Sequence, residues 1–118
     1  MKLAQTMRPP RSRLSVGETP SAAFREEARC EQVVGTLALL ANPRRLRILC
    51  ALADGDLSVA EIVRAVNGRI SGVSQQLKLL TLAGHLVRRR SDRSVIYRLA
   101  DQRVRRILHF LKDQFPAT

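Results

Sequence analysis

The segment from residue 57 to residue 99 limits the fold most, because it contains two short helical patterns followed by an alternating one. The first helical pattern covers Ser58–Val66, where apolar residues recur every three or four positions. Ser58 can accept a hydrogen bond from the helix start, and Glu61 follows three residues later, as a capping box requires. These two residues predict that a helix begins directly after Ser58.

A second helical pattern follows the Asn67-Gly68 break and covers Ser71–Leu80, with Gly84 as its stop signal. At about 100° per residue its apolar residues fall in one narrow arc, which we expect to face the core. The polar residues lie on and beside the opposite face: Ser71, Ser74, Gln75, Gln76 and Lys78. Because such groups can hydrogen-bond to base edges in a major groove, we predict that this helix reads DNA. A solvated helix surface without a partner would show the same polarity.

The segment Leu86–Arg90 is followed, after three residues, by Ser94–Leu99, which alternates in polarity and is rich in β-branched residues, and this arrangement predicts an antiparallel hairpin. We expect its tip to carry Arg89, Arg90 and Arg93. A cationic loop beside a polar helix can contact backbone phosphates or enter the minor groove. The alternative is a basic edge that discourages strand pairing. Two short helices followed by such a hairpin form the layout of a winged helix-turn-helix.

Three further helices are predicted around this unit, over Ser21–Ala41, Pro43–Ala53 and Asp101–Phe115. The fold class is therefore mainly α with a small β-hairpin wing. We expect residues 21–118 to form one DNA-binding and dimerisation domain, with a homodimer made through the first and last helices. Residues 1–20 contain three prolines and scattered basic groups without periodicity, which is typical of a disordered basic tail.

The charge balance predicts a polyanionic partner, since 21 Lys and Arg stand against 10 Asp and Glu, a formal net charge of +11. Aromatic residues make up only 3% of the chain, too few for a platform that stacks unpaired bases, so duplex DNA is favoured over RNA. We identify no nucleophile with a base and no phosphate-binding glycine loop, so an enzyme and a cofactor are not expected. The absence of a signal peptide or membrane span predicts a cytoplasmic protein.

With these elements placed, the span from about residue 33 to residue 115 resembles the ArsR/SmtB family of bacterial repressors. The matching blocks are Leu39–Leu49, Leu57–Ile62, Val73–Leu80, Ala83–Val87 and Val95–Leu99. The resemblance implies a homodimer whose two recognition helices enter adjacent major grooves of an inverted-repeat operator. It also implies that an inducer releases the protein from DNA.

The resemblance leaves the inducer open, and the metal sites of the family are not matched. Its metal sensors carry a Cys-x-Cys pair in the first reader helix, where this chain has Ser58 and Ala60. Other members bind zinc through Asp and His pairs on the last helix, but here Arg103 follows Asp101, and His109 lacks a partner at ligand spacing. No metal site is predicted.

The two cysteines offer a different signal. Cys50 stands much as a sensing cysteine does in the BigR/SqrR/HlyU branch of the family, whose members resemble thiol sensors of persulfide or oxidants. The second cysteine of that branch, near the end of the last helix, is missing here, and Cys30 is predicted to replace it. These two thiols would then release the operator on reaction with reactive sulfur, an oxidant or a soft metalloid. The alternatives are that Cys50 is a small buried apolar residue, and that the regulator has no thiol sensor and responds to its own abundance or a protein partner.

Overall fold

The structure is a computed structural model that describes residues 22–118, so the predicted basic tail over residues 1–20 lies outside the described residues. The chain divides between Glu31 and Gln32 into two units. Within residues 22–118, no helix is long and apolar enough to span a membrane.

Five helices and three short strands make up the described part of the chain, which confirms the predicted mainly α fold with a β-hairpin wing. In chain order they are α1 (Glu27–Leu40), α2 (Pro43–Ala53), β1 (Leu57–Ser58), α3 (Val59–Val66), α4 (Ile70–Leu82), β2 (Leu86–Ser91), β3 (Ser94–Leu99) and α5 (Gln102–Gln114). The reader helices are α3 and α4, and the wing is the β2–β3 hairpin.

The first helix begins at Glu27, later than the sequence pattern indicates. Phe24 has a φ of 64°, in the left-handed region, and the Arg25 N–H donates to the Ala22 carbonyl at 3.2 Å in a turn. Because a left-handed residue cannot continue a right-handed helix, the prediction of helix through residues 22–26 is wrong. The predicted first residue of that helix, Ser21, lies outside the described residues.

The corner between α1 and α2 is held by hydrogen bonds to Asn42 and Arg45. The Asn42 Oδ1 atom caps α2 by accepting from the Arg45 N–H at 3.1 Å, and Pro43 occupies the first turn, where no N–H is required. The Arg45 guanidinium donates back to the carbonyls of Ala38 and Leu39 at 2.9 and 3.0 Å. This side chain therefore ties the start of α2 to the end of α1.

The predicted capping box at the start of α3 is confirmed. The Ser58 Oγ atom accepts from the Glu61 N–H at 3.3 Å, and the Glu61 Oε1 atom accepts from the Ser58 N–H at 2.8 Å. Ser58 also belongs to β1, which pairs antiparallel with β3 opposite Ile96. The helix start is thereby attached to the wing, whose strands have the order β1-β3-β2.

The core of the second unit lies where α2, α3, α4 and α5 meet. Its largest fully buried side chains are Leu49, Leu52, Ile62, Leu77 and Leu108. Val104 and Leu108 of α5 pack against this core, whereas Phe115 is 67% exposed. The helix predicted over Asp101–Phe115 ends one residue earlier, at Gln114, because the backbone leaves the helical conformation at Phe115.

We expect Ser58→Ala to lower the free energy of unfolding by about 1 kcal/mol, because it removes one half of the capping box. Urea denaturation at a single protein concentration measures this change. Ser74→Ala, an exposed serine within α4, is the matched control and should change stability by less than about 0.5 kcal/mol. Equal effects of the two substitutions would contradict a stabilising cap at Ser58.

Candidate DNA interface and thiol sites

Helix α4 buries one face and exposes the opposite one. Val73, Leu77 and Leu80 are 5%, 0% and 3% exposed, as the predicted apolar arc requires. Four of the predicted DNA-reading residues are exposed, and the fifth, Gln76, is half-buried: Ser71, Ser74, Gln75, Gln76 and Lys78. The helix is thus held by its apolar stripe, while hydroxyl, carboxamide and ammonium groups face outward in a form that can read base edges.

The wing arginines occupy different positions along the hairpin. Arg93 lies in the turn, beside Asp92 with its φ of 52°, whereas Arg90 pairs with Val95 and Arg89 with Ile96. Successive residues of a strand point to opposite faces, so Arg89 and Arg90 project from opposite sides of the wing. The Arg89 guanidinium lies 4.0 Å from the Asp56 carboxylate and is 61% exposed. Arg90 and Arg93 are exposed and form no ion pair within residues 22–118.

A further set of arginines lies beside α4 and was not predicted. Arg44 and Arg47 of α2 and Arg69, which precedes α4, line an open concavity of about 310 Å³. Ser71 and Gln76 of the polar face line it too. The sequence places Arg69 22 residues after Arg47, so only the high frequency of arginine in the α2 segment could have drawn attention to this set.

Cys50 lies on α2 in a half-buried position at the wall of a second concavity, of about 450 Å³. Burial raises the pKa of the Cys50 thiol above its ordinary value, the charge of Lys112 opposes this shift, and the charge of Asp54 adds to it. The Lys112 Nζ atom donates to the Cys50 carbonyl at 2.9 Å and pairs with the Asp54 carboxylate at 2.9 Å. At neutral pH this cysteine is therefore chiefly a thiol, not a thiolate.

Cys30 lies on α1 and is also half-buried, with its N–H donating to the Glu26 carbonyl at 3.0 Å. The neighbouring Arg29 guanidinium lies 4.9 Å from the centre of the Phe24 ring, over which it stacks. Cys30 belongs to the first unit and Cys50 to the second, so their action as a pair stays a prediction.

The two histidines have backbone or carboxylate contacts. The His109 Nε2 atom lies 3.1 Å from the Ala53 carbonyl oxygen and 3.4 Å from the Asp54 carboxylate. His85 lies in the turn before the wing, and its N–H donates to the Leu80 carbonyl. Among residues 22–118, no group of three or more His, Cys, Asp or Glu side chains is arranged to hold a metal ion.

The fold and the exposed polar helix define a winged helix-turn-helix protein. Residues 42–86 match the family described as "Bacterial regulatory protein, arsR family". The "Biofilm growth-associated repressor" of Agrobacterium fabrum is 38% identical over 104 residues, which cover 88% of this chain and 87% of that relative. The chain therefore belongs to the arsR family of bacterial regulatory proteins. It is a DNA-binding transcription regulator and not an enzyme.

Solved structures agree with this assignment. "Reduced HlyU from Vibrio cholerae" superposes with a TM-score of 0.69 at 32% identity, covering 77% of this chain and 96% of that one. A second structure, from Mycobacterium bovis, is described as a homodimeric winged helix-turn-helix DNA-binding domain. It has a TM-score of 0.60 at 30% identity and covers 84% of this chain and 88% of that one.

We expect the alkylation rate of Cys50, measured with iodoacetamide in a Cys30→Ser background, to rise about tenfold from pH 7 to pH 8. The raised pKa keeps the thiolate scarce over this range. Lys112→Met should slow the reaction, because it removes the charge that lowers the pKa, and Asp54→Asn should accelerate it. A rate that levels off below pH 8 would contradict the raised pKa of this thiol.

Proposed function

We propose that this protein is a homodimeric repressor that binds an inverted-repeat operator and releases it when Cys30 and Cys50 react with reactive sulfur, an oxidant or a soft metalloid. The observation that supports DNA reading is the position of α4, whose apolar stripe is buried while its polar face is exposed. The net charge of +11 favours association with the polyanion.

In this proposal, α4 enters the major groove and the wing contacts the backbone. Gln75 is suited to a bidentate contact with adenine, and Lys78 reaches guanine or phosphate. Ser71, Ser74 and Gln76 flank these contacts. The exposed guanidiniums of Arg90 and Arg93 bind phosphates or the minor groove, and Arg89 contributes from the other face of the hairpin.

The homodimer is supported by apolar side chains that the described residues leave exposed on α1 and α5. Val34 and Leu37 are each 56% exposed and lie on one side of α1, and Phe110 of α5 is 61% exposed. Apolar surface of this kind is typical of a protein interface, and the relative from Mycobacterium bovis is described as homodimeric. A two-fold axis between two protomers would present two copies of α4 to an inverted repeat.

The thiol response is supported by a structural connection between Cys50 and the DNA side of the molecule. Arg47, Val66 and Asn67 line both the concavity at Cys50 and the concavity beside α4. A group added to the Cys50 sulfur would enter the concavity at Cys50 and displace residues that also shape the concavity beside α4. The HlyU structure from Vibrio cholerae is described as a reduced form, which is consistent with redox chemistry in that relative.

A regulator without a thiol sensor is the second candidate, and one observation favours it. Cys50 is half-buried and its pKa is raised, so its reaction with electrophiles at neutral pH is slowed. In that case Cys50 fills space between α2 and α5, and the amount of protein or a protein partner controls operator occupancy.

We expect Gln75→Ala to weaken binding to the operator by about 1 to 3 kcal/mol and to leave binding to random DNA nearly unchanged. The operator is the duplex that the wild-type protein selects from a random pool, and fluorescence anisotropy measures both affinities. Arg90→Ala is the companion variant and should weaken both duplexes alike, since phosphates carry no sequence information. Equal losses on the two duplexes for Gln75→Ala would contradict base reading by α4.

We expect persulfide, peroxide or arsenite to release the wild-type protein from this operator and to leave the Cys30→Ser/Cys50→Ser double variant bound. Anisotropy measures release, and mass spectrometry of the intact protein identifies the adduct. The single variants show whether one thiol is enough. Release that persists unchanged in the double variant would favour the regulator without a thiol sensor.

A further inference from the structure

The concavity beside α4 brings together basic side chains from two separate parts of the chain. Arg44 and Arg47 come from α2, and Arg69 comes from the connection between α3 and α4. The three residues line one space of about 310 Å³ that is open to solvent. The fold, and not local sequence, therefore concentrates this charge.

These three charges are not neutralised within the described part of the chain. No Asp or Glu lines the concavity, and no ion pair or side-chain hydrogen bond within residues 22–118 engages Arg44, Arg47 or Arg69. Other arginines differ, since Arg103 pairs with Asp101 at 2.9 Å and Arg105 donates to the Ala53 carbonyl at 2.6 Å. Like charges around one space repel one another, and an anion bound between them removes that repulsion.

The chemistry of the residues that line the concavity suits a phosphate group. A guanidinium is planar and can donate two parallel hydrogen bonds to phosphate oxygens. The side chain of Arg69 makes no capping bond at the start of α4, so the first-turn N–H groups add partial positive charge on this side. At Gly72, which also lines the concavity, no atom lies within 4 Å of the position a Cβ would occupy, so the approach to the backbone is open.

We propose that this concavity binds one backbone phosphate of duplex DNA through Arg44, Arg47 and Arg69. The duplex is the source because Ser71 and Gln76 belong both to the concavity and to the polar face of α4. A phosphate held there lies directly beside the bases that α4 reads, and it sets the depth and register of the helix in the groove. This inference rests on the proposed DNA-binding function and adds residues to that site.

The test measures the dependence of DNA affinity on salt for the full chain carrying Arg44→Gln, Arg47→Gln and Arg69→Gln together. Loss of one phosphate contact should lower the magnitude of the slope of log K against log salt by about 0.9. Affinity should fall on the order of tenfold, and by the same factor on operator and random duplexes. Arg106→Gln, an exposed arginine of α5 outside the concavity, removes one charge as a control and should leave the slope unchanged.

Three outcomes separate this inference from the proposed function. A wild-type protein without preference for any duplex would overturn the proposed function and this inference with it. The wild-type protein could prefer one duplex, and Gln75→Ala could abolish that preference, while the triple variant keeps the wild-type slope of log K against log salt. This combination would overturn the phosphate site alone. Calorimetry with inorganic phosphate and diphosphate tests a free anion as the source. The triple variant could lose the binding of these anions while its slope of log K for DNA against log salt stays unchanged. That result would also overturn the duplex as the ligand.

Circular dichroism and thermal unfolding check that the triple variant is folded. If it is not folded, Arg44→Gln and Arg47→Gln are measured singly, because both residues are exposed and their side chains form no hydrogen bond or ion pair among the described residues. Each should then weaken operator and random duplex alike and lower the slope in part. Single variants with wild-type slopes would count against the phosphate site.

Discussion

Burial of the apolar stripe of α4 is the interaction on which the rest of the molecule depends. Val73, Leu77 and Leu80 pack into the core shared with α2, α3 and α5, and Leu77 is fully buried. This packing fixes the rotation of the helix about its axis, because side chains on one helix keep constant angles to one another. The exposure of Gln75 and Lys78 is therefore a consequence of hydrophobic burial on the opposite face.

Positive charge serves two purposes in this fold. On α5, Arg105 and Lys112 lie two helical turns apart, and both donate to carbonyls at the end of α2, where cations are electrostatically favoured. These contacts hold α5 against α2. On the side of α4 and the wing, Arg44, Arg47, Arg69, Arg90 and Arg93 form no ion pair among the described residues, and in our proposal they attract DNA. The fold thus separates structural cations from those available to a ligand.

Much of the architecture was predictable because its signals are local. The capping box at Ser58, the stop at Gly84 and the alternation of the wing each depend on a few adjacent residues, and all are present in the structure. The errors and omissions arise where local pattern competes with other constraints. Phe24 fits a helical stripe but adopts a left-handed backbone, and β1 is only two residues long and exists through its pairing with β3.

The sequence by itself determined the order and type of the elements and the polar face of α4, because helical and strand periodicity are set by residues close in the chain. Only the tertiary structure decided which distant side chains become neighbours. It placed Arg44 and Arg47 beside Arg69, and it set Lys112 against Cys50, which lies on a different helix. Such neighbours depend on how helices pack, and packing is a property of the whole core, so no short segment encodes it.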